Sequence, residues 1–249
     1  MPKILKVKDK SDKNVIDKGL LPDVSFRGVI CMRTGGGKGN IITNLFLNPD
    51  FYLHDFHGTD IFIFSPLVND NKMNILIEQK EIPEENLHTE VDYDILNGIY
   101  EDCLKEFEMR TAMGKPIFQK VFLFDDVSFD GQLRKGGNSS NIINKIYCNG
   151  RKHGISIITT LQYYNQVSPT CKANSSFMII GDQSDRNLDS VAEDHNFLGG
   201  KNSKKSFKKM FRDTIQEKHD FMVMCYSNKK SDRYLDTDFN VIDYKQYET

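Results

Sequence analysis

Three short stretches of this chain hold residues whose types and spacing suit one chemistry, the handling of a polyphosphate. In RGVICMRTGGGKGN, residues 27–40, an apolar run leads into Gly35-Gly36-Gly37 and then Lys38. Glycines let successive backbone N–H groups turn toward phosphate oxygens, and a lysine at the start of a helix can reach the β and γ oxygens. Thr34, Gly35, Gly36, Gly37, Lys38, Gly39 and Asn40 are therefore candidate phosphate-binding residues. In KVFLFDDV, residues 120–127, an apolar run ends in Asp125-Asp126. Such a Walker B strand carries a carboxylate to the carboxyl edge of a sheet, where it can hold Mg²⁺ beside the phosphate loop. Asp125 is read as the metal ligand and Asp126 as the group that polarises the attacking water. In GISIITTLQ, residues 154–162, a strand ends in Gln162, which can hydrogen-bond that water or the γ-phosphate. Lys38, Asp126 and Gln162 form the candidate catalytic set.

Two positions depart from the pattern GxxxxGK[ST]. Met32 stands where the first glycine belongs, and Gly39 where a hydroxyl would hold Mg²⁺. The first loss is tolerable if the backbone there keeps a negative φ. The second removes one metal ligand, which water replaces at reduced affinity. Thr43 lies one helical turn further on and is not expected to substitute. Each stretch alone also has a plainer explanation: a glycine turn, an Asp pair ending a strand, an amide capping a turn. The three in this order are much rarer than any one of them. A dinucleotide reader needs GxGxxG with an acid ~20 residues on, and GGGKGN lacks that spacing. A small-molecule kinase would carry an arginine-rich lid, and paired acids favour water attack instead.

These residues need elements to position them. Six apolar runs read as strands: 27–32, 60–66, 120–127, 154–162, 177–182 and 220–227. Most are continuously apolar, as in parallel strands covered on both faces. Segments with helical spacing lie between them, at 38–47, 92–113, 138–150, 184–196 and 203–218. Strand–helix alternation implies βαβ units, hence an α/β sandwich of three layers with a mainly parallel central sheet. Residues 1–22 read as a flexible N-terminal arm, 23–228 as the folded domain and 229–249 as a polar C-terminal tail. Residues 67–91 read as an irregular acidic connection, and 128–140 as a mobile Gly/Ser-rich loop.

The 249 residues can bury a sizeable core, and a net charge of -2 excludes a uniformly basic coat. The five widely spaced cysteines suggest neither a disulfide framework nor a zinc site. No secretory signal is visible, and no apolar run approaches the ~20 residues that cross a bilayer. Local basic stretches remain: LRKGG at 133–137 and KNSKKSFKKMFR at 201–212. The second, with Phe207 and Phe211 at i, i+4, reads equally well as a solvated helix docking two aromatics. Arg151, Lys152 and His153 precede a strand, so they belong at the amino edge of the sheet, away from the nucleotide of their own subunit.

With these segments placed, the chain resembles the DNA-packaging ATPases of the FtsK/HerA superfamily, of the poxvirus type found in large cytoplasmic DNA viruses and their virophages. The resemblance rests on Gly37-Lys38 with NIITNLF, on VFLFDD, on NGRKHGISIITTLQ and on SPTCKANSSFMII, over roughly residues 25–185. It departs from the family at Gly39, at Lys152 and at Lys172, near which the family usually carries an arginine. The resemblance implies an ASCE-type P-loop NTPase fold, with the sensor strand between the Walker A and Walker B strands. It implies ATP and Mg²⁺ as cofactors, and an ATP-hydrolysing motor that translocates double-stranded DNA into a capsid. The alternative is a nucleotide-binding structural subunit whose turnover is weakened by Gly39. It further implies a homo-oligomeric ring in which a neighbour's cation completes the site, with Arg151, Arg186 and Lys172 as candidates. DNA contact would be non-specific, and a capsid protein is a possible partner. No membrane is involved, and the location would be the host cytoplasm, in viral factories or with the virion.

Overall fold

The continuous apolar runs become strands whose two faces are both covered. In the computed structural model, which describes residues 21–68, 70–127 and 142–248, the strands are β1 (Arg27–Cys31), β2 (Ile61–Phe64), β3 (Leu87–His88), β4 (Lys120–Phe124), β5 (Ile155–Leu161), β6 (Phe177–Gly181), β7 (Phe221–Cys225) and β8 (Tyr234–Leu235). The helices are α1 (Lys38–Leu47), α2 (Asn71–Lys80), α3 (Tyr93–Ala112), α4 (Ile142–Asn149), α5 (Pro169–Asn174), α6 (Asp185–His195) and α7 (Ser203–Thr214). They build one sheet in the order β3-β2-β4-β5-β1-β6-β7-β8. Pairing is parallel from β3 to β6 and antiparallel at β7 and β8.

Successive residues of β1 enter different cores. Val29 and Cys31 join the core filled by α3, α4, α6 and α7, through residues such as Leu96, Ile146, Leu188 and Phe207. Ile30 and Met32 join the core filled by α1 and α2, through Ile42, Leu45, Met73 and Leu76. That period of two on a doubly covered sheet is why the strand reads as an unbroken apolar run. The result is the expected three-layer α/β sandwich. β5 lies between β1 and β4, so the strand bearing Gln162 separates the glycine-loop strand from the Asp-pair strand.

Three segments carry more order, or end sooner, than the sequence suggests. Within 67–91, α2 and β3 replace the irregular connection. Asp70 caps α2 by accepting from the Lys72 amide at 3.2 Å, but only Met73 and Leu76 of its ten residues are buried. So few apolar positions leave little helical periodicity to read. After residue 228, β8 pairs with β7, and Tyr234 and Leu235 are fully buried. α7 ends at Thr214, and residues 215–220 form a turn in which the Asp220 carboxylate accepts from the amides of Gln216 and Glu217 at 2.9 and 2.7 Å. At the N-terminus, residues 1–20 of the expected arm lie outside the described residues, as do the expected loop at 128–140 and the LRKGG stretch within it.

Candidate functional site

The loop after β1 is shaped by its glycines. Gly35 and Gly37 adopt φ of 75° and 106°, a region that L side chains enter at a cost. Gly37 then serves as N-cap of α1, which puts Lys38 on the first turn. Met32 needs no glycine's freedom: it lies outside the left-handed region, its amide continues the ladder to Leu161 O at 3.0 Å, and its side chain is buried.

The acid pair leaves the end of β4 in two directions. Asp126 takes a left-handed conformation, φ 48°. The hydroxyl of Thr160 serves both residues: it donates to Asp125 Oδ1 at 2.6 Å and accepts from the Asp126 amide at 3.0 Å. Ser65, just beyond β2, donates more weakly to Asp125 Oδ2 at 3.4 Å. Asp125 is thereby held on the sheet edge by neighbours on both sides. Burial pushes its carboxyl above the ordinary aspartate range, and the Thr160 hydrogen bond and the Lys38 charge pull it back. A cation at this carboxylate favours its ionised form.

Asp126 faces the functional groups. Lys38 Nζ lies 3.2 Å from Asp126 Oδ1, and the amide nitrogen of Gln162 lies 3.1 and 3.0 Å from the two carboxylate oxygens. Both members of the ion pair are largely shielded, at 11% and 26% side-chain exposure, so the attraction is screened less than at an open surface. Three segments far apart in sequence thus meet at the carboxyl edge of the sheet. The cavity above them has a volume of about 360 Å³ and is lined by Thr34, Gly35, Gly37, Lys38, Gly39, Asn40, Asp125 and Asp126.

A protein-family model decides the kinship. The model described as "Poxvirus A32 protein" matches residues 14–245. The chain belongs to the poxvirus A32 family. The fold of this A32-family chain is similar to that of the genome packaging NTPase B204 from Sulfolobus turreted icosahedral virus 2. In complex with AMPPCP, that structure is 12% identical over 84% of this chain and 95% of the other, with a TM-score of 0.55. With ATP-gammaS the figures are 13%, 84%, 95% and 0.52. The pCW3 conjugation coupling protein TcpA, solved as a monomer with ATPgS, is 12% identical over 81% of this chain and 58% of its own, at 0.50. At these identities the likeness speaks to the fold, which is that of P-loop NTPases. Comparison with curated proteins finds no match.

The A32-family site fits a magnesium ion bound through few protein atoms. Asp125 offers a carboxylate already fixed in place. The position after Lys38 offers no hydroxyl, and Thr43 Oγ1, one turn on in α1, is turned back onto Gly39 O at 2.8 Å. One carboxylate, phosphate oxygens and water suit Mg²⁺, which keeps much of its hydration.

The expected trans-acting cations are dispersed. Arg151 is exposed on the turn before β5, at the amino edge of the sheet, and Arg186 is exposed on the first turn of α6. Lys172 is engaged within its own chain, 2.9 Å from Asp194 Oδ2 and 3.9 Å from the centre of the Tyr164 ring. His153 is taken up by Asn149 O at 3.1 Å and by the Phe107 ring. In the 201–212 run, Phe207 and Phe211 are buried, while Lys204, Lys208 and Arg212 pair with Glu193, Asp189 and Asp185 of α6.

The site also holds residues that sequence reasoning passed over. Arg33, Lys72 and His219 line the cavity, and Thr160 and Ser65 fix Asp125. Thr160 sits inside an apolar strand run, and only the pairing of β4 with β5, which sets Phe124 beside Thr159, brings it to the acid pair. Lys72 belongs to the helix that had no legible period. His219 follows the early end of α7.

Proposed function

We propose that this chain is an ATP-hydrolysing motor that drives double-stranded viral DNA into a capsid. The observation that carries the reading is the convergence of Lys38, Asp126 and Gln162 within hydrogen-bond distance above the glycine loop. Thr34 to Gly37 and the first turn of α1, with Gly39 and Asn40, present backbone N–H groups to the phosphates. Lys38 binds the β and γ oxygens. It is also the partner of Asp126, so a γ-phosphoryl group competes with Asp126 for one ammonium, and its arrival frees the carboxylate to polarise a water. Gln162, bonded to that carboxylate, orients the same water. Asp125 would hold Mg²⁺, which neutralises charge on the phosphates.

Kinship with the packaging ATPases supports the rest of the reading. Subunits form a homo-oligomeric ring around DNA, contacted non-specifically through lysines and arginines. A neighbour's cation completes each site on closure, which couples hydrolysis to motion. Arg186 is the best placed of the three candidates, since α6 starts at the carboxyl end of β6, on the edge that carries the glycine loop. Work takes place in the host cytoplasm, in viral factories, with a capsid protein as docking partner. Among the described residues no helix is long and apolar enough to cross a membrane.

A second reading, a nucleotide-binding structural subunit with weak turnover, is favoured by one observation. Gly39 and the inward-turned Thr43 leave Mg²⁺ without a hydroxyl ligand from the start of α1. Mg²⁺-dependent ATP hydrolysis with and without duplex DNA separates the two. The motor reading expects stimulation by DNA, and loss of activity in Lys38→Ala. Nucleotide binding without hydrolysis by the assembled protein, DNA present, would leave only the second.

A further inference from the structure

Gly39 breaks the family pattern, yet its backbone gives no reason for glycine. It is the second residue of α1 and lies outside the left-handed region. Glycine at a helical position costs roughly 0.5–1 kcal/mol relative to alanine. The reason lies in a side chain from α2. A Cβ placed on residue 39 would stand 3.1 Å from Cδ and 3.6 Å from Cβ of Lys72. The first is tighter than ordinary van der Waals contact, so a serine or threonine at the head of α1 would require the stem of this lysine to give way by a few tenths of an ångström.

The backbone of Lys72, an exposed residue, is held by its own helix and by α1. Its amide donates to the Asp70 cap at 3.2 Å, and its carbonyl accepts from Thr43 Oγ1 at 3.4 Å. The hydroxyl of α1 one turn beyond Gly39 is thus spent on contacts with Gly39 and α2. α1 and α2 share one core through Ile42, Leu45, Met73 and Leu76, which fixes the approach of Lys72 to Gly39. Its side chain lines the cavity that also contains Lys38, Asp125 and Asp126. Lys38 has an acidic partner at 3.2 Å. Among the described residues, the Lys72 ammonium has none.

On the reading that this cavity holds a nucleoside triphosphate, we propose that Lys72 is a second phosphate-positioning lysine, exchanged for the missing loop hydroxyl. The electrostatics favour it. A triphosphate enters a cavity lined by three carboxylates, Asp70, Asp125 and Asp126, and Lys38 is shared with the last of them. A metal without the loop hydroxyl as a ligand anchors the phosphates less firmly. An ammonium on a flexible stem supplies charge and three donors where a hydroxyl would have supplied a metal ligand. The site therefore depends less on Mg²⁺ for ATP binding than a loop ending in Gly-Lys-Ser does, and Gly39 and Lys72 act as a pair.

Equilibrium binding of ATP and of AMP to the full chain, in Mg²⁺ and in EDTA, tests this. Lys72→Gln is expected to weaken ATP binding in EDTA about tenfold or more, as for loss of one charge-assisted contact, and to leave AMP binding unchanged. Gly39→Ser alone is expected to weaken ATP binding, because the new side chain meets Lys72. Gly39→Ser with Lys72→Ala is expected to bind ATP tightly again, now only with Mg²⁺. Thermal melts of each variant confirm that the fold is intact. Lys72→Gln binding ATP as tightly as the parent in both conditions, while Lys38→Ala abolishes binding, overturns the proposal and leaves the nucleotide site standing. Lys38→Ala binding like the parent overturns the site reading, and this proposal with it.

Discussion

Two regions of the molecule gather charged and polar side chains, and they do so in opposite ways. At the carboxyl edge of β1, β4 and β5, the groups converge on a cavity with capacity to spare. Lys38 shares Asp126 with Gln162, and Lys72 has no acidic partner among the described residues. Along the seam where α6 faces α7 the charges are paired. Lys204, Lys208 and Arg212 each have an acid on α6, and His195 is hydrogen-bonded to Tyr164 and Tyr226, with Tyr164 also bonded to Asp194. By composition the second region is the more basic, with seven lysines and arginines in 201–218. The difference lies in whether a cation has an acid of its own to satisfy it. A paired cation is structural, whereas one left facing a cavity is available to a ligand.

The sharpest way to break this comparison is to remove the shared acid at the open region. Asp126→Asn keeps the shape and one of the two acceptor oxygens but cannot take a proton from water. ATP hydrolysis is expected to fall by about a hundredfold or more, the usual worth of a general base, with ATP binding retained because Lys38 is then free for phosphate. Hydrolysis within a few fold of the parent, measured by phosphate release, would show that Asp126 is a turn residue with a chance contact.

The closed region makes a prediction about stability instead of turnover. His195 is 4% exposed; burial is the main cause that pushes its pKa down to about 4, against the pull of Asp194. Its hydrogen bonds suit a neutral ring, with Tyr226 donating to Nδ1 at 2.6 Å and Tyr164 donating to Asp194 at 2.7 Å while facing Nε2. The unfolded chain takes up a proton near pH 6.5, while the folded one does not until about pH 4. The unfolded state thus binds more protons in that window, so stability is complete above it and falls as the pH drops. Between pH 7 and pH 5 this group alone is expected to remove about 2 kcal/mol. Urea unfolding of the parent and of His195→Gln at both pH values measures it; equal losses in the two proteins would mean that His195 is not held neutral.

The contrast between regions also explains what was legible from sequence. The strands of the site were readable because a doubly covered sheet writes continuous apolar runs, and the glycine loop and acid pair because they end such runs. Which acid faces Lys38 was not readable. It depends on a single hydroxyl, Thr160, placed by strand register inside a run that looks like core. Lys72 was invisible because α2 buries only two side chains and is held by the Asp70 cap and by contact with α1. The 201–212 run carried too little information in the other direction: eight of its twelve residues are Lys, Arg or Ser, and nothing local reveals that three of the cations have acids waiting on α6. Tyr234 lay in a polar tail, and only the antiparallel addition of β8 to β7 buries it.

Gln162 refines the open region. It has two readings, orienting the water or capping the turn after β5. Its amide nitrogen spans both Asp126 oxygens, which a turn cap would not need. Gln162→Ala is expected to lower hydrolysis about tenfold, as for loss of one hydrogen bond to a charged group, without changing the affinity for ATP. An affinity loss with an unchanged rate would assign it to ground-state binding of the γ-phosphate.

The smallest effect belongs to the closed region and marks its difference from the open one most directly. Lys208 lies 2.8 Å from Asp189, and Lys204 reaches the same carboxylate at 3.8 Å. The hydrogen bond from Lys208 lowers Asp189 from the usual aspartate range, but the pair lies at the surface and exposed pairs contribute little. Lys208→Ala is expected to leave the urea-unfolding midpoint little changed, since Lys204 remains beside Asp189. Since its charge is already satisfied, the same substitution is expected to leave stimulation of ATP hydrolysis by duplex DNA within twofold of the parent. Its salt dependence should not change either, because a lysine that does not release counterions from DNA does not enter the slope. If Lys208→Ala instead reduced DNA stimulation and flattened the salt slope by about one phosphate contact, the ion pair to α6 would have to open on DNA. The seam would then be part of the DNA-binding surface, and the division between paired and available cations would fail where it looked most secure.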